Sequence, residues 1–539
     1  MSRWPARAAG VVTVLLSGAA CASGAGAQTG SGRWRADERV LIADVSEVRA
    51  LARSFDRLYA ATDGGLIAYD DRFGRFDLPL TREDGYPERP VTAMVYDERD
   101  GSLWLASADG RLLQFDPRAR RFRENLVISE RITALVPAGA GGADLFARTR
   151  RGWLRFDPFR RRFRPAAPAD VAAARERNPD LRARDELIGD PGFQAVRDLM
   201  GMGVGARAYP VTDVMPAVDA STAWVATAGN FLFRYDRYAR RWDAVVYGPL
   251  GSGAAGVVLR AGRLWIVPRT PENGRYGVAR ADAELQHWER WDADSSRAVP
   301  GGRMRAVVAS ARGLWVGGED GLYRFSEPSG TWREIRPAGV ASARVEALAD
   351  AGEGGVWIGT DRGAARLGPD GSARVASLLP ADRISAILAV GDRVWIGTRR
   401  GLYSASVPNG EGLELEPGPG PLAGYVGALA ASLDTLFAGL GPEVWRREPG
   451  GIWSRVEAVG RLGGTVSALA VSDGVLWAGS AEGLVRWDAR ENEVNRIAFA
   501  SGDLPSGREG RGITGIAPIS RREAWIATPA GALRLRADF

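Results

Sequence analysis

Residues 314–325 read LWVGGEDGLYRF and residues 356–367 read VWIGTDRGAARL, so an aromatic residue, a glycine turn and a second apolar run recur together. Weaker copies of this pattern extend through the chain. Their aromatic positions are Tyr59, Trp104, Phe146, Trp224, Trp265, Trp315, Trp357, Trp395, Phe437, Trp477 and Trp525. The copies lie about 42 residues apart, with one longer step after Phe146, and such a period is typical of β-propeller blades.

Each copy divides into four predicted strands, because alternating and β-branched segments are separated by turns that contain glycine. The large aromatic residue is expected to fill the space between stacked blades. Glycines at the same point of five copies would let a neighbouring backbone approach closely. They are Gly317, Gly359, Gly397, Gly439 and Gly479. The sequence therefore predicts an all-β protein, a propeller of about eleven four-stranded blades over residues 28–539.

Eleven blades exceed the usual four to eight of a single propeller. Two adjoining rings and one large ring both satisfy the count, and we favour two rings. The last copy ends after its third strand, whereas residues 32–35 resemble the fourth strand around Trp332. A strand near residues 33–40 is therefore expected to complete the last blade and to cover its open edge.

The long step is explained by an insertion over residues 165–209. Ala169 to Arg177 and Leu181 to Ile188 are predicted to form short helices, and a third opens at Asp190 and Pro191. Two placements are open: a lid or docking element over the face where propellers usually bind ligands, or a loop packed on the rim.

The balance of basic and acidic residues says little about the binding partner, except for nucleic acids. All 71 basic residues are Arg, since the sequence has no Lys, and 65 acidic residues leave a net charge of +6. An excess this small over 539 residues fits a solvated surface, so no nucleic-acid partner is expected.

The N-terminus predicts export. Arg3 and Arg7 precede a short apolar run, and small residues continue to Ala27, so residues 1–27 are predicted to be a signal peptide. The alternative is a lipoprotein signal cleaved before Cys21, with acylation of its thiol. Both give a periplasmic or extracellular protein. The second gives an outer-membrane lipoprotein, and only its lipid anchor is expected to reach a membrane.

The LWIGT…GLYRF pattern resembles the two-component-regulator propeller repeat over nearly the whole chain after residue 27. That resemblance implies a periplasmic sensor-type propeller. In the kinase members, further domains follow the propellers, whereas here the last blade ends the sequence. Any sensory role would therefore require a partner protein, and the repeat is specific for fold rather than function.

Turns between the second and third strands supply the candidate ligand residues. They are Arg150, Arg151, Asp361, Arg362, Arg399 and Arg400. Arginine forks are suited to the carboxylates of an anionic glycan or a peptide. Solvated turn residues are the competing interpretation.

Catalysis finds little support, because His287 is the single His and Cys21 the single Cys. No Ser-His pair, zinc site or thiol site follows from these residues, and neither a metal nor another cofactor is expected. The leading hypothesis is an extracytoplasmic propeller that binds a ligand or a protein. A carboxylate-based glycan hydrolase or lyase is the enzymatic alternative. A structural component of an envelope or secretion complex is the third.

Overall fold

Eleven four-stranded antiparallel sheets build the part of the chain that the structure describes, as the repeat predicts. The structure, a computed structural model, describes residues 39–128, 130–138, 145–157, 160, 162–202, 209–217, 221–272, 274–292, 299–336, 344–379, 382–407, 409–416, 424–433, 435–498 and 512–536. The predicted signal peptide and Cys21 lie outside these residues. In ten sheets the strands follow one another in chain order, as the blades of a propeller do.

Blades 1 to 4 contain β2 to β17. Blade 1 is β2 Val48–Arg53, β3 Arg57–Thr62, β4 Gly65–Asp70 and β5 Arg75–Phe76; blade 2 is β6 Val91–Asp97, β7 Ser102–Ser107, β8 Arg111–Asp116 and β9 Arg121–Val127; blade 3 is β10 Ala134–Pro137, β11 Leu145–Thr149, β12 Gly152–Asp157 and β13 Arg162–Pro165; blade 4 is β14 Val211–Pro216, β15 Thr222–Thr227, β16 Leu232–Asp236 and β17 Arg241–Val245.

Blades 5 to 11 contain the other strands. Blade 5 is β18 Ser252–Arg260, β19 Arg263–Thr270, β20 Gly277–Ala281 and β21 Trp288–Asp292; blade 6 is β22 Met304–Ser310, β23 Gly313–Gly318, β24 Gly321–Ser326 and β25 Thr331–Ile335; blade 7 is β26 Val345–Asp350, β27 Val356–Thr360, β28 Gly363–Leu367 and β29 Ala373–Leu378; blade 8 is β30 Ile384–Val390, β31 Arg393–Thr398, β32 Leu402–Ser406 and β33 Glu414–Leu415. Blade 9 is β34 Val426–Ser432, β35 Thr435–Leu440, β36 Glu443–Arg447 and β37 Trp453–Arg455; blade 10 is β38 Ala468–Ser472, β39 Val475–Gly479, β40 Gly483–Asp488 and β41 Glu493–Ala498; blade 11 is β42 Gly515–Pro518, β43 Glu523–Thr528, β44 Gly531–Arg536 and β1 Val40–Ile42.

Hydrogen bonds between blades show that there are two closed rings. At the start of the first strand, a Ser or Thr hydroxyl donates to a carbonyl of the next blade, as from Thr92 to Ile132 (2.6 Å). The same bond runs backwards in sequence from Thr212 of blade 4 to Val48 of blade 1 (2.7 Å). It also runs from Thr514 of blade 11 to Ala254 of blade 5 (2.9 Å). Blades 1 to 4 therefore belong to ring one, and blades 5 to 11 form ring two, with seven blades.

The strand β1 completes blade 11 by pairing with β44, in the register Val40 to Arg534 and Ile42 to Ala532. This strand starts later than the expected segment near residues 33–40, and residues 32–35 lie outside the described part. Val40 and Ile42 are both buried, whereas the intervening Leu41 is partly exposed. The alternation shows why this segment can cover the edge of the sheet.

The insertion folds as three helices, α1 Pro168–Arg177, α2 Pro179–Gly189 and α3 Pro191–Met202, which we call the helical insert. On one side, α1 contacts β10 of blade 3; on the other, α2 and α3 contact β14 of blade 4. Val171 and Ala174 of α1 pack against Phe146. Leu187 and Phe193 pack with the core of blade 4.

The helical insert thus takes the place of a fifth blade between blades 3 and 4. Neither the lid nor the rim placement describes it, because its apolar side chains are buried between two blade faces. An ion pair between Arg53 of β2 and Asp180 also ties α2 to the first strand of blade 1. The insert therefore closes ring one.

The repeated glycines of ring two accept a side chain from the next blade rather than its backbone. A Cβ added at Gly317 would lie 2.3 Å from Val345 Cγ1, and one at Gly359 would lie 2.5 Å from Ile384 Cγ2. Ring one has Ala at the same point of three blades, at Ala61, Ala106 and Ala226, and Arg148 in blade 3. The glycine of the motif therefore belongs to the close packing of ring two.

We expect Gly359→Ala to destabilise the protein by about 1–3 kcal/mol, because a well-packed core does not accept an added methyl group without displacing its neighbours. The midpoint of urea unfolding measures this change. Gly450→Ala is the matched control, since Gly450 is exposed and a Cβ there has nothing within 4 Å. Equal stability of the two variants would contradict the proposed close contact.

The Arg of the third strand lies opposite the motif aromatic. Trp315 pairs with Arg324, whose guanidinium carbon is 5.4 Å from the ring centroid. Trp265 and Arg280 repeat this arrangement at 4.9 Å. A planar guanidinium stacks on an aromatic ring better than an ammonium does, so part of the arginine content serves blade packing.

The chain passes between the rings twice, through residues 43–47 and 246–251. Asp44 joins the two passages, because its carboxylate accepts backbone N–H groups of Ser46 (2.8 Å) and Gly251 (2.7 Å). Burial raises the pKa of Asp44 above its usual value. One apolar cluster spans both rings at this junction and includes Ile42, Val48, Trp224, Ile266 and Trp525. The two rings are therefore packed together.

Candidate functional site

Each ring has two faces, which we name by the connections they carry. The crossover face carries the connections from the fourth strand to the next blade and from the second to the third strand. The hairpin face carries the connections from the first to the second and from the third to the fourth strand. All six candidate ligand residues lie on the crossover face, but Arg150 and Arg151 are in blade 3, whereas the other four are in blades 7 and 8. The candidate residues therefore belong to two rings and do not form one site.

In ring one, Arg150 and Arg151 are exposed turn residues. Arg151 Nε lies 3.1 Å from Glu130 Oε1, and the Arg151 side chain remains largely in solvent. A surface ion pair of this kind contributes little to stability and does not enclose a ligand.

In ring two, two of the candidate residues hold the surrounding backbone and side chains in place. Asp361 exchanges two hydrogen bonds with the backbone of Arg344: its Oδ1 accepts the Arg344 N–H (3.0 Å), and its own N–H donates to the Arg344 carbonyl (3.1 Å). Arg400 Nε lies 3.4 Å from Asp382 Oδ1. Arg362 and Arg399 are exposed on the neighbouring turns. Asp361 thus fixes the position of Arg344.

Glu346 of β26 is the centre of a charged group that we call the arginine cluster, made of Glu346, Arg305, Arg344 and Arg383. Arg383 NH2 lies 2.9 Å and Arg305 NH1 3.4 Å from Glu346 Oε2, and Arg344 Nε lies 3.9 Å from Oε1. The three arginines come from blades 6, 7 and 8. One carboxylate therefore joins three successive blades at the crossover face.

Arg305 also donates to Glu319 Oε1 at 2.8 Å. This hydrogen bond lowers the pKa of Glu319, so that carboxylate stays ionised through the neutral range. Three guanidinium groups thus face two carboxylates, and the group has an excess of positive charge.

Burial divides the arginine cluster into a fixed base and an open top. The Glu346 side chain is 7% exposed, whereas those of Arg344 and Arg383 are each 42% exposed. Within the described residues, Glu346 Oε1 is buried and makes no hydrogen bond. Two reachable guanidinium forks therefore lie beside an acceptor oxygen that lacks a donor.

Motif analysis of the sequence did not find the residues of the arginine cluster, although the sequence carries a signal for two of them. Arg305 and Glu346 occupy the second position of the first-strand segment, where the chain bulges. At that position most other blades have a small or hydroxyl residue, namely Thr92, Thr133, Thr212, Ala255, Ser385, Gly427, Ser467 and Thr514; Arg49 of blade 1 is the further exception. Aligning the copies on this position reveals the adjacent charged pair of blades 6 and 7.

The recurring Asp after the third strand has a structural role. Asp70 Oδ1 accepts the backbone N–H groups of Arg72 and Phe73, and Asp236 does the same in blade 4. The side chain of His287 is exposed, with Nδ1 2.5 Å from Asp282 Oδ2. Among the residues the structure describes, no three His, Cys, Asp or Glu side chains lie close enough to hold a metal ion. In the same part of the chain, no helix is long and apolar enough to cross a membrane.

Comparison with known proteins supports the architecture. No protein-family model matches the sequence, and no curated protein matches it significantly. Among solved structures, the chain is similar to PorZ, described as an essential bacterial surface component of the type-IX secretion system of Porphyromonas gingivalis, with a TM-score of 0.55 and 13% identity over 92% of this chain and 87% of that one. This likeness establishes the fold alone.

Two further similarities have TM-scores below 0.5 and carry no functional argument. The extracellular domain of the putative one-component system BT4673 from B. thetaiotaomicron has a TM-score of 0.40 and 12% identity, over 91% of this chain and 69% of that one. Virginiamycin B lyase from Staphylococcus aureus has a TM-score of 0.42 and 14% identity, over 52% of this chain and 94% of that one. The chain is a multi-blade β-propeller.

Proposed function

We propose that this protein is an exported binding propeller that captures an acidic glycan at the arginine cluster of ring two. The observation that carries the proposal is the placement of two half-exposed guanidinium groups, Arg344 and Arg383, around the buried carboxylate of Glu346. Guanidinium forks bind a carboxylate through two parallel hydrogen bonds. Glu346 Oε1 is buried, so the acceptor that a ligand hydroxyl group can reach is the partly exposed carboxylate of Glu319, which also binds Arg305. An acidic sugar supplies a carboxylate and a hydroxyl group on one ring.

The arrangement supports this ligand better than it supports a simple phosphate ion. A phosphate ion would place more negative charge beside Glu346 and Glu319 than a single carboxylate does. A peptide with a free carboxyl group and a nearby hydroxyl or amide is the alternative of the same chemistry. The described residues of the arginine cluster bind and orient; we assign them no catalytic step.

Export and signalling complete the proposal. Residues 1–27 have the pattern of a signal peptide, and Cys21 offers the lipoprotein alternative. The repeat resembles the two-component-regulator propeller, which supports a sensor-like or scaffold role that acts through a partner protein. A place in an envelope or secretion complex is compatible with the same binding surface.

The test is the affinity for uronic-acid oligosaccharides, measured by calorimetry for the protein and for Arg344→Gln with Arg383→Gln. Hydrogen bonds to charged groups contribute about 1.5–3 kcal/mol each, so we expect the double variant to bind at least tenfold more weakly. Arg490→Gln is the control, since Arg490 is exposed on the hairpin face of blade 10.

Unchanged affinity in the double variant, or binding of neutral and acidic oligosaccharides with equal strength, would overturn the proposal. Analysis of the oligosaccharides after incubation tests the enzymatic alternative, because a hydrolase or lyase shortens them and a binding protein returns them intact.

A further inference from the structure

The loops of the hairpin face differ in charge between the two rings. In ring one, the described residues of the connections between third and fourth strands include six Arg and one Asp: Arg72, Arg118, Arg120, Arg160, Arg237 and Arg240, with Asp71. In ring two, the same connections contain seven acidic residues and one Arg: Asp282, Glu284, Glu327, Asp370, Glu411, Glu448 and Glu491, with Arg490. The formal charges are thus +5 and −6, on loops at the same position of the repeat. The described first-to-second connections of ring one add Asp56, Glu98 and Asp100 with Arg99, so the described hairpin loops together carry +3 in ring one and −6 in ring two.

The basic face of ring one also carries aromatic side chains in solvent. Phe55 and Tyr238 are each 87% exposed, and Phe73 is 66% exposed. Phe55 and Phe73 lie on two hairpin connections of blade 1, and Tyr238 lies on the third-to-fourth connection of blade 4. Leaving three large rings in water is costly, so their presence on one face suggests an interaction surface.

These aromatic residues lie on neighbouring blades. Blades 4 and 1 are joined where ring one closes, through the bond from Thr212 to Val48. Farther out, the ring centroids of Tyr69 in blade 1 and Trp224 in blade 4 are 5.0 Å apart. The Arg72 guanidinium lies 5.6 Å from the centroid of Phe73, so charge and ring occur together on one loop.

We propose that the hairpin face of ring one docks on an anionic phospholipid bilayer. Phe73 and Tyr238 lie on loops that also carry arginines. Such turn tips fit the interfacial region, where rings insert at headgroup level and arginines pair with phosphates. The acidic loops of ring two would be repelled by the same surface, which fixes ring one as the side that binds. The surface brings the protein to a membrane without an acyl chain on Cys21, and it is separate from the arginine cluster.

The test is flotation of the full chain carrying Cys21→Ser, with vesicles of phosphatidylcholine alone or mixed with phosphatidylglycerol. We expect binding to the mixed vesicles that falls steeply as salt rises from about 0.1 M to about 1 M, because screening shortens the reach of the charges. Each surface arginine contributes about 1 kcal/mol to such binding, so Arg118→Gln, Arg160→Gln and Arg240→Gln together should weaken it on the order of 100-fold.

Blade 9 of ring two offers a matched control for the aromatic residues. Leu433 and Ile452 occupy the two hairpin connections that correspond to those of Phe55 and Phe73, and they are 90% and 72% exposed. We expect Phe55→Ser, Phe73→Ser and Tyr238→Ser together to lower binding at least tenfold, whereas Leu433→Ser with Ile452→Ser leaves it unchanged. All these side chains are in solvent, so circular dichroism should show intact folding in every variant.

Three results would overturn the proposal. One is equal binding to both kinds of vesicle, and another is an equal loss in the blade 9 control. The third is capture of an acidic protein by the same arginines in the absence of any vesicle binding.

Discussion

Removal of the helical insert is expected to unfold ring one and to leave ring two folded. The variant replaces residues 168–202 by a short glycine-serine linker. Without the helices, the buried side chains of Phe146 in blade 3 and Phe233 in blade 4 face water. The apolar side chains on these two blade faces pack on the helices rather than on each other, so the deletion removes the partner of both faces.

The size of this effect follows from burial. Val171, Leu187 and Phe193 are each at most 3% exposed, and burying side chains of this kind stabilises by about 1.5–3 kcal/mol each. The blade residues they cover contribute a similar amount. Domains are stable by only about 5–15 kcal/mol, so losing both sides of the contact removes most or all of the stability of ring one.

Limited proteolysis with mass spectrometry measures the outcome. We expect rapid cleavage within blades 1 to 4, and a resistant core of residues 248–536 that retains a peptide containing β1. Glu176→Gln with Glu186→Gln is the control, since both side chains lie on the exposed side of the helices. A deletion variant that resists proteolysis as well as the intact protein would show that the insert is peripheral.

Replacing Arg184 by Leu is expected to cost about 3–5 kcal/mol at neutral pH, because it leaves a buried carboxylate without its partner. Arg184 of α2 pairs with Asp213 of β14. Asp213 is buried and also accepts the backbone N–H groups of Leu51 and Val214, each at 2.8 Å. The pair therefore joins the helical insert to blades 4 and 1.

The stability lost on replacing Arg184 by Leu should depend on pH in a definite direction. Burial raises the pKa of Asp213 above its usual 3.8, and the charge of Arg184 opposes this rise. Without Arg184 the folded-state pKa rises further, so the folded protein binds a proton more readily than the unfolded chain. Stability of the variant is then lost as pH rises from 3.8 through the folded-state pKa, and the deficit against the parent protein should be larger at pH 7 than at pH 5.

Urea unfolding at the two pH values measures this difference. Arg182→Leu is the matched control, because Arg182 is exposed on the same helix and loses the same charge. A deficit that is equal for Arg182→Leu and Arg184→Leu, or independent of pH, would contradict the role assigned to the pair.

The blades were predictable from the sequence because each copy repeats its own local chemistry. The motif Thr shows this: Thr360 Oγ1 donates to the Gly363 carbonyl at 2.8 Å and accepts the Arg362 N–H at 3.0 Å, so its turn forms from neighbouring residues. The assignment of blades to rings could not be predicted in this way, since blade 4 meets blade 1 and blade 11 meets blade 5. Those joints use the same Thr hydroxyl bond as the joints between consecutive blades, and nothing in the motif marks where a ring closes.

For the candidate site, the sequence predicted the face of the propeller but not the contacts that its residues make. Turn position correctly assigned Arg362 and Arg399 to an exposed surface of the crossover face. It did not indicate that Asp361 would hold the Arg344 backbone, because that contact depends on the path of the chain entering blade 7. Asp213 shows the same limit: it replaces the Ala found at Ala50, Ala93 and Ala347, and only the helix beside it explains a carboxylate there.

The pairing of β1 with β44 has a consequence for biosynthesis. Ring one lies in the sequence between β1 and β18, so its whole segment is inserted between two strands of ring two. As the chain emerges N-terminus first, from the ribosome or from an export channel, all of ring one is available to fold before the first blade of ring two has emerged. The segment Val40–Ile42 then stays unpaired, with its apolar side chains exposed, until Gly531–Arg536 has been synthesised. Ring two thus closes after ring one, and β1 finds its partner only after the strands of all the other blades have emerged.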